Sequence, residues 1–189
     1  MGKVQEVSNG ITEGVIWKQI LIFFFPIFFG TLFMTLYNTV DAVIVGQFLG
    51  KEALAAVSGG TSTLTNLIIG FFNGMASGAT VVISQFYGAK DEDKVKKSLH
   101  TAIALSLLFG VVISVFGFIL TKPLLRIMDT PDDIFPLATT YLHIYFLGSM
   151  GLILFNMTSG VLRAFGDSKH PLWFLIIGAL LNIALDILF

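Results

Sequence analysis

Residues 17–45 read WKQILIFFFPIFFGTLFMTLYNTVDAVIV, and the fold class follows from them. At ~1.5 Å of rise per residue, a helix of this length exceeds the ~30 Å hydrocarbon core of a bilayer. Its apolar residues run nearly all the way round rather than along one stripe, as suits a helix surrounded by lipid. Past Lys18 its one charge is Asp41. A charged side chain at bilayer depth is expensive, which makes an acid there a candidate functional site. Tyr37 and Asn38 lie one helical turn before Asp41 and share its face. Near the other end of the chain, Asn182 stands one turn before a second acid, Asp186. This pattern points to transport coupled to a cation rather than to soluble chemistry.

The rest of the chain agrees. Of its 189 residues 55% are hydrophobic and only 12% charged, and the mean hydropathy is +0.87. The charged share is about half of the globular norm, which implies a polytopic all-α membrane protein. The 19 phenylalanines suit lipid-facing helix surfaces. The absence of cysteine excludes a disulfide framework and a thiolate metal site. A net charge of −1 gives no footprint for nucleic acid. No nucleophile elbow, P-loop, H-E-x-x-H or C-x-x-C motif occurs, so neither an enzyme nor a bound cofactor is expected. His143 has no metal-ligand partner at helical spacing, so no metal site is expected and a packed histidine is.

Five spans can be cut from the chain, at about 17–45, 53–87, 98–121, 138–162 and 171–189, preceded by a polar leader over residues 1–16. The leader has no signal-peptide cleavage pattern, and Glu6 replaces the Ser or Thr of a myristoylation motif. One side of the membrane would hold Lys3, Lys18, Lys90, Lys94, Lys96, Lys97, Arg163 and Lys169. The other would hold Lys51, Lys122 and Arg126. The more basic side is expected to be cytoplasmic, which places the N-terminus inside and the protein in the cell membrane. Gly46–Gly50 is expected to be a tight external turn. The acids after Tyr87–Lys90 are expected to open the next helix, where they meet its positive end. Thr130 is expected to cap a helix with Pro131 as its first residue, and Gly166 to end one. The Lys122–Met128 stretch alternates basic and apolar residues and is expected to lie in the interface.

Polar residues within the spans mark inward faces. Counted at ~1.5 Å per residue, Asp41 lies about 31 Å along its helix from Ile20, and Asp186 about 22 Å along its own from Pro171. Both fall in the outer half of the core and can face one cavity. An alternative sets Asp41 at the headgroup boundary; the Tyr37, Asn38, Asp41 face argues against it. Pro26 removes a helical hydrogen bond and is either a structural kink or a hinge for gating. Gly70, Gly74 and Gly78 form a stripe that suits close packing of another helix. Asn66 and Asn73 share a face, and they, like Tyr141 and Asn156, either line a cavity or bond a neighbouring helix.

Four stretches carry a family resemblance: Tyr37–Asp41 running on to Val45-Gly46, Gln85–Lys90, Pro131 through Tyr141-Leu142, and Leu162–Asp167 with Pro171. With Asn182–Asp186, they make the chain resemble the N-terminal portion of a multidrug and toxic compound extrusion (MATE) transporter of the DinF-like branch. The resemblance implies five helices of a six-helix N-terminal lobe in a twelve-helix fold, whose lobes rock between inward- and outward-open states. It implies export of small cationic amphipathic compounds in exchange for H⁺ or Na⁺, with Asp41, Asn182 and Asp186 coupling the ion. Tyr37, Asn38, Tyr141 and Asn156 would line the substrate cavity. The partners implied are the substrate, membrane lipid and a C-terminal lobe missing from this stretch, so the chain is expected to be an incomplete lobe. A lipid-linked oligosaccharide flippase of the same superfamily is the nearest alternative, though its cavity should be more cationic than the acidic and neutral candidates here. A small non-transporting helical membrane protein is the other.

Overall fold

A computed structural model describes residues 15–188; the side chains of Asp186 and Ile187 lie outside the described set, as do residues 1–14 of the expected leader. The described residues form helices with no strand. In chain order they are α1 (Ile16–Ile44), α2 (Gly50–Ser58), α3 (Gly60–Gly88), α4 (Glu92–Ile127), α5 (Phe135–Ala164) and α6 (Lys169–Leu188). The stretch Ile16–Ser58, α3, α4 and α5 are long and apolar enough to cross a membrane, while the described apolar part of α6 is shorter. Alternation of direction puts Lys18, Lys90–Lys97, Arg163 and Lys169 at one end of the bundle. That end is called the basic end below.

Several expected boundaries move. The Gly46–Gly50 turn is instead a π-helical turn over Val45–Leu49 that continues α1 without a loop. The break comes only at Gly50, whose φ of +87° suits a residue without Cβ. The second expected span, 53–87, divides into α2 and α3 at Gly59, where a Cβ would sit 2.7 Å from the Ala55 carbonyl oxygen. Hydropathy cannot register such a break, because both sides of it are apolar. The Lys122–Met128 stretch does not lie flat in the interface: it forms the last turns of α4, and Leu125 is wholly buried. Thr130 caps no helix. Residues 131–134 make a turn in which the Pro131 carbonyl accepts from the Ile134 and Phe135 N–H groups, and α5 starts at Phe135 with Pro136 in its first turn.

Helix ends are otherwise closed as elementary backbone chemistry requires. At the ends of α3, α4 and α5 a residue turns left-handed, namely Lys90 (φ 56°), Asp129 (φ 50°) and Gly166 (φ 84°). The N–H of the following residue then reaches back to the Phe86, Leu125 and Leu162 carbonyls at 3.0, 3.1 and 2.9 Å. These are Schellman closures, and the third is the expected role of Gly166. At the start of α4, Asp91 accepts from the Lys94 N–H, with Glu92 and Asp93 in the first turn as expected. Inside α1 the hydroxyls of Thr31, Thr35 and Thr39 donate to carbonyls four residues back at 3.0, 3.0 and 2.8 Å. Polar residues are thereby made tolerable in an apolar setting.

Helices α3, α4 and α5 form the packed body, and α1 pairs with α6 beside it. The body has two cores. Ile83, Ala102, Met157 and Val161 fill the basic half, and Leu125, Ala138, Leu142 and Phe146 fill the other. Close approach depends on glycines other than the expected stripe. A Cβ on Gly117 would fall 2.2 Å from the Phe146 ring, and one on Gly160 2.7 Å from Thr80 Oγ1. At Gly70, Gly74 and Gly78 nothing in the described chain lies within 4 Å of that position, so the stripe does not pack a helix here. Its spacing is compatible with packing, but the face it sits on is exposed. His143 is packed, its ring stacked on Phe118 with centroids 4.1 Å apart.

Candidate functional site

The α1/α6 pair and helices α3 and α5 border an open cavity of about 660 Å³. Each helix contributes one face. From α1 come Pro26, Thr31 and Tyr37; from α3 Asn73, Ser77 and Thr80; from α5 Asn156, Ser159 and Arg163; and from α6 Gly178 and Asn182. The α5 set recurs at spacings of three, four and seven residues, the signature of a single helical face. Apolar residues such as Met34, Ile69 and Phe155 supply the remaining wall. The cavity is thus amphipathic: apolar for most of its wall, with scattered neutral donors and acceptors and the Arg163 guanidinium.

Beyond its far end lies a second feature. The Asp41 carboxylate is near enough to Tyr37 and to Tyr141 to act on both electrostatically, and Tyr145 lies close to the same two phenols. The Tyr141 and Tyr145 rings stack with centroids 6.3 Å apart. The Tyr145 hydroxyl is buried with no hydrogen-bond partner among the described residues. An acid and three phenols from α1 and α5 therefore converge, and Tyr37 belongs both to this cluster and to the cavity.

The expected site residues consequently separate. Tyr37, Asn156 and Asn182 line the cavity, as does Pro26, which lies within α1. Asn156 donates to the Leu152 carbonyl at 2.9 Å, and the Asn182 side-chain oxygen is buried with no hydrogen-bond partner among the described residues. Tyr141 stands outside the cavity, in the Asp41 cluster. Asn38 is exposed and lines no part of the cavity, which corrects its assignment to the wall. Asp186 lies on α6, but its side chain falls outside the described set. Of the two open asparagines on α3, Asn73 lines the cavity and Asn66 does not.

Three residues were missed. Tyr145 sits one turn beyond Tyr141 on the same face, and Ser77 one turn beyond Asn73. Arg163 sits seven residues beyond Asn156, and it corrects the expectation that the cavity candidates are acidic and neutral. Its Nε donates to the Ser159 carbonyl at 3.1 Å, and no carboxylate among the described residues pairs with it. Helical spacing from known neighbours marks all three. Among the described residues, no cluster of three or more His, Asp or Glu side chains could hold a metal.

The adjoining turn has its own electrostatics. Burial pushes the Asp167 carboxyl up, but hydrogen bonds from the Lys169 and His170 N–H groups (3.1 Å each) and from the His170 ring outweigh it and hold the group below its ordinary 3.8. Asp167 thereby caps the start of α6.

The MatE family profile matches residues 26–188. The chain is 35% identical over 179 residues to a probable multidrug resistance protein of Bacillus subtilis, YoeA, covering 95% of this chain and 38% of that protein. It is 26% identical to a FAD transporter of Shewanella oneidensis, covering 94% and 39%. The fold superposes on an outward-facing multidrug resistance MATE transporter with a TM-score of 0.86 and 28% identity, covering 94% of this chain and 39% of that one. The chain thus spans about two fifths of the length of the relatives it matches. A profile match over most of the chain, an all-helical membrane fold and a shared architecture lead to one conclusion: the chain belongs to the MATE family.

Proposed function

We propose that this chain forms a substrate- and ion-binding lobe of a multidrug efflux antiporter, which exports cationic amphipathic compounds in exchange for H⁺ or Na⁺. The observation that carries the reading is the convergence of Asp41, Tyr37, Tyr141 and Tyr145 at one end of an amphipathic cavity. A carboxylate among hydroxyl and amide oxygens offers hard donors of the kind that hold a proton or a small cation. Asn182 and Asp186, on the helix paired with α1, complete the proposed coupling set. Neutralising Asp41 with an ion removes the charge that would attract a cationic compound. Ion and cargo then compete for one electrostatic well, the thermodynamic requirement of antiport.

Pro26 supplies the hinge in this scheme. It lies within α1 and on the cavity wall, and without an N–H it leaves the Ile22 carbonyl with no donor four residues on. The charge bias supports a cytoplasmic N-terminus for a protein of the cell membrane. The greater length of the relatives supports a second helical lobe as the structural partner. The test is drug resistance in cells expressing the protein. Asp41→Asn is expected to remove resistance to a cationic dye such as ethidium at unchanged expression. Resistance at the wild-type level would sink the proposal.

A further inference from the structure

The Arg163 guanidinium is the one charged group on the cavity wall among the described residues. It is half-buried, and a single hydrogen bond to the Ser159 carbonyl uses its Nε. The terminal nitrogens of the fork meet no carboxylate among the described residues. The nearest acid in sequence, Asp167, is committed to the α6 N-terminus and the His170 ring. Around Arg163 the cavity presents hydroxyls: Ser159 and Ser168, both nearly buried, and Thr80. A cation without a counter-charge between apolar helices carries a desolvation cost, which an anionic group docking against it offsets. Guanidinium is suited to that task because its planar fork engages a carboxylate or phosphate through two parallel bonds.

The position adds chemistry. At ~1.5 Å per residue, Arg163 lies about 33 Å along α5 from Tyr141, so the acid–phenol cluster and the arginine mark opposite ends of the molecule. The anionic group of a ligand held at Arg163 therefore sits at the end of the molecule away from the Asp41 cluster. We propose that the basic end of the cavity is an anion-accepting subsite, in which Arg163 seats the phosphate or carboxylate group of an amphiphile whose apolar or aromatic body fills the wall between α1 and α5. The inference rests on the cavity being a substrate site and widens its cargo from cations to amphiphiles that bear an anionic group.

A matched pair of flavins tests it. Riboflavin and flavin mononucleotide share one fluorescent ring and differ by a phosphate, so their affinity ratio isolates the anionic group. For the purified protein in detergent, flavin mononucleotide is expected to bind about tenfold more tightly than riboflavin, the scale of one charge-assisted bond. The ratio should fall to about one in Arg163→Gln and recover in part in Arg163→Lys, both variants first shown to unfold at the wild-type temperature. Equal affinities in the wild-type protein, a ratio unchanged in Arg163→Gln, or no flavin mononucleotide binding up to ~1 mM would each overturn the proposal. Titration in nanodiscs with and without phosphatidylglycerol identifies the source of the anion. Weaker flavin mononucleotide binding with that lipid shows a lipid headgroup taking the same subsite, and an unchanged value shows a soluble amphiphile. Because the readout is equilibrium binding, it stands or falls separately from efflux by Asp41→Asn.

Discussion

At Gly117 an added Cβ would meet three carbons of the Phe146 ring at 2.2–2.5 Å, and Phe146 is itself buried. At Gly74, one of the glycines whose spacing suggests packing, the same Cβ would meet nothing within 4 Å. Within a helix, the missing side chain of glycine therefore matters only where another helix stands opposite, which the sequence of one helix cannot say. Gly117→Ala should lower stability by about 1–3 kcal/mol through overpacking, whereas Gly74→Ala should stay within about 0.5 kcal/mol of wild type. Thermal unfolding in detergent measures both, and equal losses would show that the α4–α5 contact is misplaced. Asp41 is the opposite case. Its cost in an apolar helix made it legible from residue type alone, and the structure adds the phenols of Tyr141 and Tyr145 from a helix about a hundred residues away.

Among the elements, α5 and α6 were legible to within three residues at each described end, whereas α3 starts seven residues later than expected and α4 extends six beyond each expected end. What the sequence concealed were breaks between apolar segments, at Gly59 and at Gly50 after the π-helical turn. The turn at Pro131 was misassigned because Thr-Pro is a start signal that a following Phe-Pro satisfies equally well. Caps outside the apolar core give a sharper test. Asp167 accepts two N–H groups of α6, so Asp167→Ala should cost about 1 kcal/mol. The Lys94 side chain and N–H likewise hold Asp91 below its ordinary 3.8. A carboxylate with a lowered folded pKa contributes stability that is present above 3.8 and lost as pH falls through the folded value. The unfolding temperature should therefore drop between pH 4 and more acidic values, less steeply in Asp167→Asn. A pH response identical in the variant would contradict the cap.

The described residues form a packed three-helix body with a helix pair beside it, and the cavity between them is the candidate functional site. Because the chain has no cysteine, single substitutions report on that arrangement directly. Ser77→Cys, on the exposed cavity face of α3, should react quickly with a water-soluble maleimide, and Ser149→Cys, buried between α4 and α5, slowly. Comparable rates would show that the body is not packed as described. The cavity was only partly legible because its wall is assembled from four helices, each contributing a face whose direction depends on its neighbours. Arg163 was hidden for that reason: in sequence it belongs to a charged turn, in space to the cavity. Coupling of an ion to cargo through Asp41, as proposed, is open to direct measurement. In proteoliposomes containing the protein, an imposed H⁺ or Na⁺ gradient should drive ethidium accumulation by the wild type and none above background by Asp41→Asn. Accumulation by the variant at the wild-type rate under the same gradient would contradict the account.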